Sequence, residues 1–184
     1  MKRLLSMMLV LLLLSGCSGE SRDVTPRDKG VPAMNVTSTA FQEGTTIPKQ
    51  CTGEGKDVSP PLKWSEVPAG TKSFAVICDD PDAPRKEPWV HWVLFNLPAE
   101  TRELAEGASR AGLPAGAKEG KNDFGNIGYG GPMPPPGKPH RYYFKVYALD
   151  TVLDLQEGAT KAELERAMKG HVLAEGQLMG KYAR

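Results

Sequence analysis

The sequence predicts a mainly β fold, a sandwich with a single helix late in the chain. The 184 residues include 20 glycines and 16 prolines, which favour many turns over long helices. Several segments have the apolar or alternating pattern of strands, and one segment carries the start signal of a helix. The length suits one domain with a sizeable core.

The extended segments are short and are separated by turns. Residues 90–97 are apolar on both faces, which predicts a central strand covered from both sides. Residues 141–149 alternate, so that Tyr142 and Phe144 share one face, and His140 would share it too. A loop rich in Gly, Asp and Pro is expected over residues 48–61. In chain order, the predicted strands cover residues 34–41, 62–64, 72–78, 90–97, 141–149 and 174–182.

One helix has a clear beginning. Thr160 is followed three residues later by Glu163, the spacing of a capping box. Leu164 and Met168 follow at helical spacing, and His171 is expected on the same apolar face, as a packing residue or a C-terminal cap. Gly170 weakens the last turn of this predicted helix.

The N-terminus is typical of a bacterial lipoprotein. Lys2 and Arg3 precede the apolar run Leu4–Leu14, which fits a signal peptide and is too short to span a bilayer. Small residues then lead into Cys17, as in a bacterial lipobox. We predict that residues 1–16 are removed as a signal peptide and that Cys17 is lipidated. The polar residues 17–33 would form a flexible tether, and residues 34–184 the folded domain.

These features predict a location and exclude one class of partner. The lipid would anchor the protein to a membrane of the bacterial cell envelope. Ser18 follows the cysteine instead of the aspartate associated with inner-membrane retention, so we expect the periplasmic face of the outer membrane. The 23 basic and 22 acidic side chains nearly balance, which argues against a nucleic-acid partner.

Two cysteines remain in the predicted domain, Cys51 and Cys78. The cell envelope permits a disulfide between them, and two small buried thiols fit the sequence equally well. The chain has no C-x-x-C motif and no Cys/His cluster with zinc spacing. We therefore predict no metal site and no cofactor.

The acidic turn at residues 79–84 is a candidate wall of a binding site. Its sequence, DDPDAP, follows a predicted strand directly. A carboxylate near an imidazole favours the imidazolium form, which is a good receptor for phosphate or carboxylate. Asp80 and Asp82 could each hold a histidine in this way, although Asp82 could instead only stabilise the turn through its own backbone. Asp79 is expected to be solvated.

Two histidines are candidates for this partnership. His91 lies in the central strand, where it could equally be a satisfied core residue. His140 follows the loop of residues 130–139, which contains five prolines and three glycines. Glycines allow backbone to approach a ligand closely, while the prolines and Trp89 would supply rigid apolar walls.

Several separated stretches together resemble the phosphatidylethanolamine-binding protein (PEBP) family. The similarity is greater to its bacterial Raf-kinase-inhibitor-like branch, the YbhB/YbcL type, and extends over about residues 34–182. The stretches that carry it are VSPPLKW, AGTKSFAV, DPDAP, HWVLFNLP, GKNDFGNIGYGGP, HRYYFKVYALD and GATKAELERAMKGHVLAEGQLMGKY.

The resemblance implies two antiparallel β-sheets with an anion pocket at one end. It also implies that Pro135 and Pro136 belong to the rim, without deciding which of them lines the cavity, and that the Ala83–Pro84 peptide bond is cis. The eukaryotic members have a C-terminal pocket aromatic that this chain lacks, which leaves selectivity for phospholipid head groups open. The pocket positions that match by residue are Asp80, Pro84, Trp89, His91, His140 and Tyr142.

We therefore expect a non-catalytic protein that binds a small phosphate- or carboxylate-bearing ligand, such as a phospholipid head group. The alternative is an inhibitor or interaction partner of a peptidase or another periplasmic protein, as family members of these kinds suggest. The chain contains no G-x-S-x-G, P-loop or H-E-x-x-H motif, which disfavours an enzyme. Asp80, Asp82, His91 and His140 are suitable metal ligands by type, but their spacing matches no local metal signature.

Overall fold

A computed structural model describes residues 30–110 and 112–184. The predicted signal peptide, the lipidation site at Cys17 and most of the predicted tether lie outside these residues. The strands are β1 (Asn35–Thr37), β2 (Leu62–Ser65), β3 (Ser73–Asp80), β4 (Trp89–Pro98), β5 (Glu103–Leu104), β6 (Lys118–Glu119), β7 (His140–Leu149) and β8 (Val172–Tyr182). A short 3-10 turn, Lys49–Cys51, and one helix, α1 (Lys161–Met168), complete the described elements.

The strands form two antiparallel sheets, which confirms the predicted fold class. The small sheet has the order β1-β2-β5, and the large sheet has the order β6-β4-β3-β7-β8. The inner face of the large sheet packs on the small sheet through a core that includes Trp64, Phe74 and Phe144. Its outer face packs on α1 through Ile77, Leu164 and other apolar residues. This double coverage explains why β3 and β4 read as continuous apolar runs.

The helix begins as predicted and ends before His171. Thr160 accepts a hydrogen bond from the Glu163 amide, and Glu163 accepts from the Thr160 amide, so the capping box is confirmed. Lys169 leaves the helical conformation and Gly170 has a φ of 82°. His171 therefore lies beyond α1, exposed, with Nδ1 2.8 Å from Oδ1 of Asp150. The expectation that His171 lies on the apolar helix face is wrong.

The structure also shows the state of the two cysteines and of the Ala83–Pro84 peptide bond. Cys51 and Cys78 are buried free thiols and form no disulfide with each other. Burial raises the pKa of Cys51 to about 11, with a smaller contribution from Glu106, and burial also raises the pKa of Cys78. No cis peptide bond occurs in residues 30–110 and 112–184, so the expected cis Ala83–Pro84 bond is wrong.

The structure also supplies one observation about membranes. Within the described part of the chain, no helix combines the length and apolar character that a bilayer crossing requires.

Candidate functional site

The candidate site is built where one end of β3 meets β4 and β7, on the inner face of the large sheet. Asp80, the last residue of β3, is almost fully buried. One of its carboxylate oxygens lies 2.8 Å from Nδ1 of His140, and the other accepts a hydrogen bond from the Asp82 amide. Because a carboxylate only accepts, Nδ1 of His140 is the donor, and this fixes the orientation of the ring.

A β-bulge brings His91 onto the same face. In the β3–β4 ladder Cys78 pairs with Trp92 and Asp79 pairs with Val90, so His91 is the extra residue. Val90 packs in the outer core and Trp92 in the inner core, whereas His91 contacts the ring of Tyr142. The bulge therefore allows His91 and Trp92, which are adjacent in sequence, to share the inner face.

The buried His91 ring is held by a backbone carbonyl. Its Nδ1 lies 2.6 Å from the Gly130 carbonyl oxygen, so Nδ1 must carry a hydrogen. Burial lowers the pKa of His91, and the Gly130 hydrogen bond and the charge of Asp80 offset this only in part. The ring thus favours the neutral form, with Nε2 as its remaining acceptor, instead of the imidazolium that the sequence suggested for this site.

We expect acid to destabilise the protein through His91. Its folded pKa lies below the unfolded value of about 6.5, so the unfolded state binds a proton first as the pH falls. The stability contributed by the neutral ring is complete above about pH 6.5 and is lost as the pH falls through the folded pKa. Melting temperatures between about pH 7 and pH 5, in phosphate-free buffer, should fall more steeply for wild type than for His91→Gln. Parallel profiles for the two proteins would contradict this.

Aromatic side chains surround the His91 imidazole. Tyr142 and Phe124 meet its ring edge to face, with centroid distances of 5.1 Å and 5.4 Å. Phe124 also lies 5.2 Å from the ring of Trp89, whose face is covered by the Arg85 guanidinium at 5.0 Å. The imidazole and Trp89 therefore belong to one continuous aromatic cluster.

Two buried donors in this cluster have no partner among the described residues. They are the hydroxyl of Tyr142 and Nε1 of Trp89. Burial raises the pKa of Tyr142, and nearby Asp80 raises it further, so the hydroxyl keeps its proton and can donate. Since more than nine buried polar groups in ten are hydrogen-bonded in native proteins, these two donors are candidates for contact with a ligand.

The loop after Tyr129 runs close against neighbouring backbone. The Gly130 amide donates to the His91 carbonyl at 2.9 Å, and the Gly131 amide donates to Oδ1 of Asp57 at 2.6 Å. A Cβ on Gly131 would lie 2.7 Å from the Cys51 carbonyl oxygen, so only glycine allows this approach.

Three of the predicted pocket prolines lie at the surface. Pro135 and Pro136 are exposed in the loop after Gly131, where the buried prolines are Pro132 and Pro134, which sequence reasoning did not single out. Pro84 is also exposed. The structure thus brings Asp80, Trp89, His91, His140 and Tyr142 together.

The remaining acids of the turn have partners that the sequence did not indicate. Asp82 binds no histidine and forms an ion pair with Arg141, whose side chain and amide hydrogen-bond to it and lower the pKa of its carboxyl. Asp79 faces the outer side of β3 and contacts Lys145 and Lys161. A histidine partnership was one of two alternatives for Asp82, and the Arg141 contacts replace it. The expectation that Asp79 is solvated is wrong.

Sequence reasoning also missed the loop that supplies Phe124. The buried side chain of Asn122 holds this loop through the Gly128 carbonyl and through the amides of Phe124 and Asn126. The stretch GKNDFGNIGYGGP contributed to the family resemblance and was the one available signal. In the described residues, no group of three or more His, Cys, Asp or Glu side chains has an arrangement that could hold a metal ion.

Comparison with known proteins places this architecture in a family. The phosphatidylethanolamine-binding protein family matches residues 37–183. The chain belongs to this family. Among its relatives, a UPF0098 protein of Methanothermobacter thermautotrophicus is 52% identical over 152 residues, covering 82% of this chain and 99% of the relative. The UPF0098 protein YbhB of Escherichia coli is 40% identical over 158 residues, covering 82% of this chain and 100% of YbhB.

Solved structures of PEBP proteins share the fold. YbcL of Escherichia coli superimposes with a TM-score of 0.78 at 39% identity, covering 82% of this chain and 98% of YbcL. A PEBP homolog from Chlamydia trachomatis gives a TM-score of 0.75 at 45% identity, covering 83% and 98%. The chain is thus a binding protein of the PEBP family, whose members are in general not enzymes.

Proposed function

We propose that the candidate site binds a small anion, a phosphate- or carboxylate-bearing ligand, without chemical turnover. The observation that carries this proposal is the buried Tyr142 hydroxyl, which has no described partner and belongs to a ring that packs against His91. An oxygen-rich anion offers acceptor oxygens to this donor. A hydrogen bond from a buried hydroxyl to a charged oxygen is one of the stronger kinds.

The two histidines would complete the anion site from the same face of the sheet. With Nδ1 of His91 bound to the Gly130 carbonyl and Nδ1 of His140 bound to Asp80, each ring keeps Nε2 for a ligand. A neutral Nε2 accepts a hydrogen bond, so His91 suits an anion that carries one proton, such as monohydrogen phosphate. Binding of a fully deprotonated anion would require His91 to take up a proton.

A phospholipid head group is one source of such a phosphate. The name of the family points to this ligand. The predicted lipidation of Cys17 would tether the site to a membrane of the cell envelope. We propose that this membrane is the outer membrane and that the protein lies on its periplasmic face. Inorganic phosphate offers the same phosphate oxygens as a head group, so it serves as the first ligand with which to test the site.

Replacing Tyr142 with phenylalanine should weaken phosphate binding about tenfold or more, because a hydrogen bond to a charged group is lost. Titration calorimetry or NMR with inorganic phosphate measures this. Tyr143→Phe is the matched control, since Tyr143 lies on the opposite face of β7, next to Arg141 and Lys145. Equal affinity in wild type and Tyr142→Phe would refute the proposed site.

A further inference from the structure

We infer that Arg85 is a positioning residue of the candidate site. Through an ion pair with Asp123, it ties the exposed turn of residues 81–88 to the loop that carries Phe124, and so holds the ring of Trp89 in place. The inference rests on the proposed function, because it concerns how the same site keeps its shape.

The turn has little structure of its own. It contains no strand or helix, and most of its residues are exposed. It leads directly into Trp89, the first residue of β4. Near its start Asp82 pairs with Arg141, and near its end Arg85 pairs with Asp123. The Arg85 ion pair therefore holds the part of the turn that leads into Trp89.

The Arg85 guanidinium combines hydrogen bonds with a contact to an aromatic ring. Its Nη2 lies 2.8 Å from Oδ2 of Asp123, and its Nε donates to the Glu87 carbonyl at 2.8 Å. Its Cζ lies 5.0 Å from the centroid of the Trp89 ring. A planar guanidinium can lie on a ring and donate in its own plane at the same time, which an ammonium group cannot. Arg85 therefore covers Trp89 and is itself held by Asp123.

Asp123 is a fixed partner for this ion pair. Its amide donates to the Val90 carbonyl at 2.9 Å, and its Oδ2 accepts from the Val90 amide at 2.8 Å. The next residue, Phe124, lies 5.2 Å from Trp89 between ring centroids. The ion pair thus completes the set of contacts around Trp89, whose Nε1 is one of the two unpartnered donors of the cluster.

Acrylamide quenching of tryptophan fluorescence tests whether the ion pair holds the ring. The other two tryptophans, Trp64 and Trp92, are at most 1% exposed, so quenching of the full-length protein reports mainly on the half-buried Trp89. Asp123→Asn keeps the Arg85 side chain and an acceptor oxygen for the Val90 amide. Its quenching constant should nevertheless exceed that of wild type, because the guanidinium is no longer held over the ring.

Phosphate titration by calorimetry separates positioning from simple charge attraction. Arg85→Ala should bind inorganic phosphate about threefold more weakly, the loss expected for one exposed ion pair with a ring contact. Asp123→Asn should also bind about threefold more weakly, although loss of a negative charge near an anion would by itself strengthen binding. Arg85→Lys keeps the charge but lacks the planar group, so its affinity should be closer to that of Arg85→Ala than to wild type.

Arg102→Ala is the matched control. Arg102 also lies over an aromatic ring, that of Phe74 at 5.7 Å, and also donates to backbone carbonyls, those of Ala99 and Thr101. Phe74 is near the start of β3, whereas the candidate site lies at the end of that strand. This variant loses the same charge and the same kind of contact, and it should bind phosphate with wild-type affinity.

The outcomes separate this inference from the proposed function. Unchanged quenching in Asp123→Asn, or tighter phosphate binding by that variant, would overturn the inference. Wild-type affinity in Arg85→Lys would do the same, since charge alone would then explain the role of Arg85. If phosphate binds in a Tyr142-dependent manner and Arg85→Ala loses no affinity, the inference fails and the anion site stands. If wild type binds no phosphate, both are overturned.

Discussion

Replacing Asp79 with alanine is expected to lower the free energy of unfolding by about 3 kcal/mol, as is typical when one partner of a buried ion pair is removed. The Asp79 side chain is only 2% exposed and lies 3.0 Å from Nζ of Lys145 and 2.5 Å from Nζ of Lys161. Burial by itself would lower the pKa of Lys161, but Asp79 and Glu165 raise it overall. Without Asp79, two half-buried ammonium groups on β7 and α1 would lose their shared counterion.

Urea denaturation at neutral pH measures this loss, and Asp82→Ala provides the comparison. Asp82 pairs with Arg141, but both side chains are about one-third exposed, at 28% and 32%. An ion pair in contact with solvent contributes about 1 kcal/mol or less. Equal losses in the two variants would show that burial does not decide the strength of these pairs. Because Asp79 faces away from His91, folded Asp79→Ala should bind inorganic phosphate with unchanged affinity.

Asp79 also illustrates what sequence reasoning could not reach. From the sequence, the turn DDPDAP was interpreted as an acidic loop that forms one wall of a binding site. Its first residue, Asp79, was expected to be solvated. The strand in fact continues through Asp80, and strand alternation sends Asp79 and Asp80 to opposite faces. The lysines that bind Asp79 are 66 and 82 residues away, a separation that no local pattern encodes.

The elements that were predicted are those with a strong local signal. The apolar runs of β3 and β4, the alternation of β7 and the capping box of α1 are all visible in the sequence. The strands β5 and β6 have two residues each, which is too short for any periodicity, and they form because β2 and β4 offer unpaired edges.

In the candidate site, too, some residues could be identified from the sequence and others depend on distant contacts. Asp80, His91, His140 and Tyr142 were available from residue type and family resemblance. Phe124 and Gly130 were not, because their role depends on a loop folded around a buried asparagine and on the bulge that turns His91 inward. The protonation of His91 was also beyond the sequence, since burial outweighs the nearby carboxylates. The identity of the ligand stays a prediction.

Replacing Gly120 with alanine should be as damaging as the loss of Asp79, for a steric reason. A Cβ at this position would lie 2.1 Å from the carbonyl oxygen of Ala159 and 2.5 Å from Cγ1 of Val93. Both neighbours are fixed, because the Gly120 amide donates to the Val93 carbonyl and the Ala159 carbonyl accepts from the Lys121 amide. We expect a loss of about 3 kcal/mol, at the upper end of the range for overpacking, since backbone must move.

Gly116→Ala separates this clash from the conformational preference of glycine. Gly116 has a φ of 89°, and a Cβ there would meet nothing within 4 Å, so its replacement should cost only about 1 kcal/mol. Gly120 also begins the segment that leads through Asn122 to Phe124 and Gly130, so Gly120→Ala should weaken phosphate binding at temperatures where it remains folded. Urea denaturation and phosphate titration of both variants test this. If Gly120→Ala is no less stable than Gly116→Ala, the backbone around Val93 and Ala159 shifts to accommodate the methyl group at little cost. If Gly120→Ala binds phosphate as tightly as wild type, the close packing at Gly120 does not position the candidate site.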